Sequence, residues 1–303
     1  MTRETNASPS AASTPVAVPT DPPPRRVRPD TGPLAALREL YGARRLTASL
    51  VARDLKVQHR GTVLGMLWSL TNPLLLVALY SFVFRFIFRA SPAPDAVRPD
   101  GQPVAFAVFF FCGLIVWTLF SSSLSTATTS VTGAGYLLRK VYFPRAVLPL
   151  TAVLSGLVTF GFELAVVFLV TLAFVGAPGA QVLWVPAIVC VVVLLAYGGA
   201  LILSALTVFL RDVAHFIGIV LNLLFWATPV IYSLQFVADR PSLLRVLRAN
   251  PMTGPVVSFR NVVLLNRPPE LGLLAYDLAV AVALLALGAY LFGRWQRLFA
   301  EIV

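Results

Sequence analysis

The chain has 303 residues, of which 58% are hydrophobic and 12% are charged, and its formal net charge is +11. Soluble domains carry about 25% charged residues, so this composition excludes a soluble fold and a largely disordered chain, and two cysteines are too few for a disulfide scaffold. We therefore predict an all-α membrane protein, in which the excess cations mark membrane faces and do not indicate a nucleic-acid partner.

Residues 1–33 hold 8 of the 23 prolines, together with many Ser, Thr and Ala. They have too few large apolar side chains to pack into a core. No apolar segment of the kind found in a signal peptide follows the first residues. We predict a disordered, Pro-rich cytoplasmic tail.

Residues 34–60 form an amphipathic pattern when they are placed at 100° per residue. Apolar residues such as Leu40, Val51 and Leu55 share one face, and another face carries the cations Arg38, Arg45, Arg53, Lys56 and Arg60. A helix of this kind lies in the membrane interface with its cations toward anionic headgroups. A helix packed against a partner subunit would show the same pattern, and Gly42 is expected to weaken it.

Six later stretches are apolar enough to cross a membrane, which takes about 20 residues. They cover approximately 62–88, 104–126, 146–175, 183–210, 216–237 and 271–292. Pro73 should kink the first of them, because proline lacks a backbone donor. With six spans, 16 of the 24 Lys and Arg residues fall on the side of the N-terminus. This bias predicts that both termini are cytoplasmic.

The sequence lacks the common catalytic motifs. It has no phosphate-binding P-loop, no H-E-x-x-H, no C-x-x-C and no G-x-S-x-G. We therefore expect no catalytic residue and no metal site on this chain.

Glu163 falls near the centre of the third predicted span. A charge there costs roughly 2.5–3.5 kcal/mol on insertion scales. Three interpretations stay open: a contact to substrate hydroxyls, a proton relay, or an interhelical hydrogen bond with a Ser or Thr.

Residues 50–74, LVARDLKVQHRGTVLGMLWSLTNPL, resemble the start of type-2 ABC exporter permeases, above all those for O-antigen, teichoic acid and capsular polysaccharide. That family has a dibasic surface helix containing an Asp, here Asp54, followed by T-x-L-G-x-L-W and N-P. Three further segments are similar to the family and occur in its order: LRKVYFPRAVLP at 138–149, RDVAH at 211–215 with WATPVIY at 226–232, and NPMTGPVVSFR at 250–260.

The resemblance implies that two copies of this chain form a translocation path and that two copies of a separate ABC ATPase bind ATP and Mg. The loop at 136–149 would be a coupling helix that contacts the ATPase through Tyr142, Phe143, Pro144 and Arg145. Arg211 and Asp212 would form a second contact. An ordinary cytoplasmic turn with positive charges remains the alternative for the loop.

The family also implies short re-entrant helices within the external segment 238–270. Candidate gate residues there are Arg245, Arg248, Pro251 and Arg260. These cations would meet lipid phosphates or the diphosphate of a lipid-linked glycan.

A path for a polysaccharide should carry aromatic rings on which sugar faces stack. Candidates are Tyr80, Trp117, Trp226 and Tyr232, together with Glu163. Each ring alone is also compatible with an interfacial belt or with core packing.

These features predict the permease subunit of an ATP-driven exporter in the bacterial cytoplasmic membrane. Its cargo would be a lipid-linked polysaccharide of the O-antigen, teichoic acid, capsule or galactan type. The alternatives are a permease of the same family for a small drug or lipid, and a membrane-embedded glycosyltransferase.

Overall fold

The structure is a computed structural model that describes residues 33–58, 65–87, 93, 95–98, 101–136 and 143–299. In these ranges the secondary structure is helical and there is no β-strand, only an isolated bridge between Val97 and Pro103. The all-α prediction is therefore confirmed. Most of the predicted tail, and the candidate residues Arg60 and Tyr142, lie outside the described residues.

Two helices occupy the predicted interface segment. Helix α1 covers Pro33–Gly42 and α2 covers Arg44–Gln58, so the helical segment is interrupted after Gly42. Leu50 of α2 is buried. Arg45, Arg53 and Lys56 are exposed, and Arg53 pairs with the neighbouring Asp54 at 2.8 Å.

Four helices are long and apolar enough to cross a membrane. They are α4 (Phe106–Thr128), α5 (Val147–Phe174), α6 (Val185–Phe209, preceded by a 3-10 turn at Ala180–Trp184) and α10 (Leu271–Trp295). Two apolar helices are shorter: α3 (Trp68–Phe82, followed by a π-helical turn at Val83–Ile87) and α7 (Val213–Trp226).

The fifth predicted stretch, 216–237, is not one continuous helix. Helix α7 ends at Trp226, and a 3-10 turn at Leu234–Val237 follows an irregular segment. The break has a local cause, because Pro229 has no N–H to donate. The Thr228 hydroxyl donates a hydrogen bond to the carbonyl of Leu224 at 2.7 Å, in the last turn of α7.

Helix α4 is the centre of the bundle. Every residue from Val108 to Trp117 is buried, as expected of a helix that is apolar all round. Helices α3, α5, α6 and α7 pack around it. Helices α6 and α10 approach closely at two glycines, since a Cβ on Gly288 would lie 2.5 Å from the carbonyl oxygen of Gly198.

Two short helices precede α10. Helix α8 covers Pro241–Ala249 and is largely exposed, whereas α9 covers Thr253–Val263 and is almost fully buried. Asn250 holds the corner between them, because its side-chain amide donates to the carbonyl of Ala227 at 3.0 Å and its oxygen accepts from the N–H of Met252 at 3.0 Å. Helix α2, residues 143–146 and the end of α10 lie at one end of the bundle, the α2 end. Helices α8 and α9 lie at the opposite end, the α8–α9 end.

Candidate functional site

At the α2 end, the candidate coupling residue Phe143 points into the protein. It is 7% exposed and belongs to a buried cluster with Leu50 of α2, Val147 of α5 and, from the C-terminal region, Phe292 and Phe299. Its ring therefore joins elements of this chain and does not project as a free apolar knob.

Arg145 also contacts the C-terminal region. One of its guanidinium nitrogens donates to the backbone carbonyl of Gln296. Pro144, between Phe143 and Arg145, is half-buried. The segment 143–146 is thus fixed to α10 by a hydrogen bond and by the buried cluster.

Arg211 and Asp212 form the exposed turn between α6 and α7. The backbone carbonyl of Asp212 accepts from the N–H groups of His215 and Phe216, at 3.0 and 2.9 Å, and so closes the first turn of α7. No ion pair within 4.0 Å joins the two described side chains. Arg211 instead lines a cavity of about 490 Å³ whose other lining residues include Thr129, Thr132 and Thr207.

Three of the four aromatic path candidates lie together. The Tyr80 and Trp226 rings are 6.4 Å apart, and the Tyr232 hydroxyl donates to the carbonyl of Trp226 at 2.8 Å. The fourth candidate, Trp117, contacts this cluster through Phe225, whose ring centroid is 5.7 Å from that of Trp117 and 5.9 Å from that of Trp226. Trp226 is 53% exposed while Trp117 is 6% exposed, so Trp226 presents a free face.

Glu163 is buried in α5. Among the residues that the structure describes, none donates a hydrogen bond to either of its carboxylate oxygens. Between the helices that the structure describes, no Ser or Thr therefore makes the interhelical bond to Glu163 that was one of its three interpretations.

At the α8–α9 end, Arg260 was expected to face lipid or glycan phosphates, but it is buried. Its Nε donates to the carbonyl of Phe109 at 3.0 Å, and its two terminal nitrogens donate to the carbonyls of Pro229, at 2.6 Å, and Val230. The guanidinium carbon lies 3.8 Å from the centroid of the Phe109 ring. A Cβ on Gly113 would overlap this guanidinium. Arg260 thus ties α9 to α4 and to the irregular segment after α7.

The other gate candidates differ in position. Arg245 and Arg248 are exposed on α8, and Pro251 is half-buried. Arg248 lines a cavity of about 830 Å³, and Arg245 does not. The polar lining of this cavity also includes Asp95, Arg260, Asn261, Arg267 and Glu270.

Sequence reasoning did not select Asp95, Asn261, Arg267 or Glu270. Asp95 is far along the chain from the other three, and the four follow no recognisable motif, so only the fold brings Asp95 to the others. Arg267 is oriented by a hydrogen bond from its guanidinium to the carbonyl of Val97, at 2.8 Å.

A second contact missed from the sequence lies between α9 and α10. Asp277 of α10 is fully buried, and a Cβ on Gly254 would overlap its Oδ2 atom. Its carboxylate therefore lies against the first turn of α9, where the partial positive charge of a helix N-terminus favours an acid. Nearby, the Tyr276 hydroxyl donates to the carbonyl of Ala249 at 3.0 Å.

Long apolar helices and a basic surface helix, with cavities at both ends whose linings include charged residues, define a multi-pass membrane protein. The sequence profile of the ABC-2 type transporter matches residues 45–264. The chain therefore belongs to the ABC-2 type transporter family, as its motifs predicted.

Curated relatives are similar over most of the chain. It is 32% identical over 267 residues to the O-antigen export system permease protein RfbA of Myxococcus xanthus, which covers 88% of this chain and 98% of that protein. It is 27% identical over 259 residues to the protein of the same name from Klebsiella pneumoniae, covering 85% and 95%. The chain is accordingly a permease, a transport component and not an enzyme.

Proposed function

We propose that the chain is the membrane subunit of an ATP-driven exporter that moves a lipid-linked polysaccharide across the cytoplasmic membrane. The observation that carries this proposal is the match to an O-antigen export permease along 98% of that protein. The aromatic cluster of Tyr80, Trp226 and Tyr232 agrees with a sugar cargo, because the flat faces of sugars stack on such rings.

The proposal includes six spans with both termini in the cytoplasm. Helix α3 with its flanking turns gives 23 described residues, 65–87, which is long enough to span. Helix α7 is short at 14 residues and would complete its crossing with the irregular segment that follows it. The cation distribution supports an orientation with the α2 end in the cytoplasm and the α8–α9 end outside.

The proposal assigns ATP hydrolysis to two copies of a separate ATPase, which bind ATP and Mg, and it includes a second copy of this chain. The ATPase would contact the exposed Arg211–Asp212 turn and the segment around Pro144. Because Phe143 and Arg145 are fixed to α2 and to the end of α10, movement of the ATPase would reach both elements.

Deleting the gene in its own host tests the proposal. We expect the surface polysaccharide to disappear and lipid-linked glycan to accumulate inside the cell, and a plasmid-borne copy should restore export. Unchanged surface glycan together with altered drug sensitivity would favour a small-molecule permease. Turnover of a sugar nucleotide by the purified chain alone would contradict the transport assignment.

A further inference from the structure

The cavity of about 830 Å³ at the α8–α9 end is a candidate binding site. Its volume lies within the range of roughly 300–1,000 Å³ found for small-ligand sites. We propose that it binds a glycosyl phosphate, meaning a sugar ring that carries a phosphate group. The assignment of this ligand to the exported glycolipid rests on the proposed function, whereas the existence of the site does not.

The cations of the cavity suit a phosphate. Arg248 and Arg267 are exposed side chains of the lining, and each guanidinium presents a planar fork that matches phosphate oxygens. Arg260 contributes in another way. Its donors are used by three backbone carbonyls, and it adds a fixed positive charge to the cavity wall.

The acids and the amide of the cavity suit sugar hydroxyls. Asp95, Glu270 and Asn261 also line it, and carboxylate and amide oxygens accept hydrogen bonds from hydroxyl groups. The Oδ1 atom of Asp95 is buried and has no hydrogen-bond partner among the described residues, so an acceptor there is left for a ligand or for water. Two carboxylates would repel a bare polyanion, and the combined lining therefore favours one phosphate attached to a hydroxylated ring.

Several separate parts of the chain build this site. Asp95, the segment 233–238, helix α8 and the segment 257–273 meet around it. The hydrogen bond from Arg267 to the carbonyl of Val97 joins the last of these segments to the residues next to Asp95. Arg260, which also lines the cavity, fixes α9 to α4 and to the segment after α7. The site is consequently held open by contacts that do not involve the ligand.

Helix α8 offers a matched pair of variants for a test. Arg245 and Arg248 are both exposed, one turn apart, and only Arg248 lines the cavity. Glucose 1-phosphate is titrated into the full-length chain in nanodiscs of neutral phospholipid, and binding is measured by calorimetry. We expect Arg245→Ala to bind like the wild type, and Arg248→Ala and Arg267→Ala to bind about tenfold more weakly, the loss that follows from about 1.4 kcal/mol.

Further probes separate the two parts of the ligand. Glu270→Gln should weaken binding of glucose 1-phosphate and leave inorganic phosphate unaffected. Equal affinity of the wild type for inorganic phosphate and glucose 1-phosphate would overturn the glycosyl part of the proposal. Unchanged binding in Arg248→Ala and Arg267→Ala, with melting temperatures like that of the wild type, would overturn the site itself.

Competition then identifies the source of the ligand. Nanodiscs that contain a synthetic lipid-linked glycosyl diphosphate are compared with nanodiscs that contain phosphatidylinositol. Stronger competition by the first supports an exit site for the exported glycolipid, and stronger competition by the second overturns that assignment in favour of a membrane lipid. Should gene deletion leave the surface polysaccharide intact while glucose 1-phosphate still binds, the proposed function fails and the site stands.

Discussion

Arg260 shows how one side chain can hold an irregular region of a membrane protein together. Its three acceptors are backbone carbonyls of Phe109, Pro229 and Val230. Pro229 and Val230 lie in the irregular segment after α7, where carbonyls lack helical partners, and a polar group without a partner is costly inside a membrane. The guanidinium supplies the missing donors in a planar arrangement that an ammonium group cannot copy.

Replacing Arg260 with lysine should therefore destabilise the protein although the charge is retained. We expect a loss of about 2 kcal/mol or more, since hydrogen bonds to charged groups are each worth roughly 1.5–3 kcal/mol. Thermal unfolding in detergent measures the effect. Arg245→Lys is the control, because that side chain is exposed on α8. Equal melting temperatures of the two variants would contradict the structural role of Arg260.

Position 254 requires a glycine because the Asp277 side chain leaves no room for a Cβ, and not because of its backbone conformation. It lies within α9, and the space where its side chain would begin is taken by the Asp277 carboxylate. Gly254→Ala should lower the melting temperature, while Gly272→Ala, at a position where nothing lies within 4 Å of the added Cβ, should not. In a double-mutant cycle, adding Asp277→Ala should recover part of the loss. Strict additivity would show that the two residues do not interact.

The end of α10 and the segment after it connect α2, α5 and α6 at the α2 end. The Phe299 ring lies 5.3 Å from Phe292 and 6.3 Å from Phe209, and it shares a buried cluster with Phe143 and Leu50. Helix α10 therefore contacts the predicted coupling segment at one end. At its other end it contacts α8 and α9 through Tyr276 and Asp277.

Phe299→Ala should weaken the whole α2 end. Removing a buried phenylalanine costs about 3–5 kcal/mol, so we expect a lower melting temperature and less export per ATP hydrolysed in the complex with the ATPase. Leu298→Ala is the matched control, because Leu298 is 44% exposed. Phe299→Leu, which keeps most of the apolar volume, should restore stability. Wild-type coupling in a stable Phe299→Ala protein would remove the C-terminal region from the coupling pathway.

The sequence predicts those features of the fold that depend on local composition. Apolar runs mark the four long helices, and the order of short motifs indicates the family. The direction of Phe143 and the burial of Arg260 could not be predicted, because their partners lie far away in the chain. Arg260 and Phe109, for example, are 151 positions apart. In the sequence, Arg260 looks like the exposed Arg245 and Arg248, since nothing local distinguishes a cation that binds carbonyls from one that faces water.

The orientation of the molecule is a prediction about every element at once. Arg211 and Arg245 are exposed in the turn before α7 and on α8, at opposite ends of the proposed topology. In a Cys190→Ser background, which removes the exposed native thiol and leaves the buried Cys112, each arginine is replaced singly by cysteine. A membrane-impermeant maleimide should label Arg245→Cys in right-side-out vesicles and Arg211→Cys only after permeabilisation. The reverse pattern would place the α8–α9 end, with its glycosyl phosphate site, in the cytoplasm, and would turn the proposed exit site into an entry site.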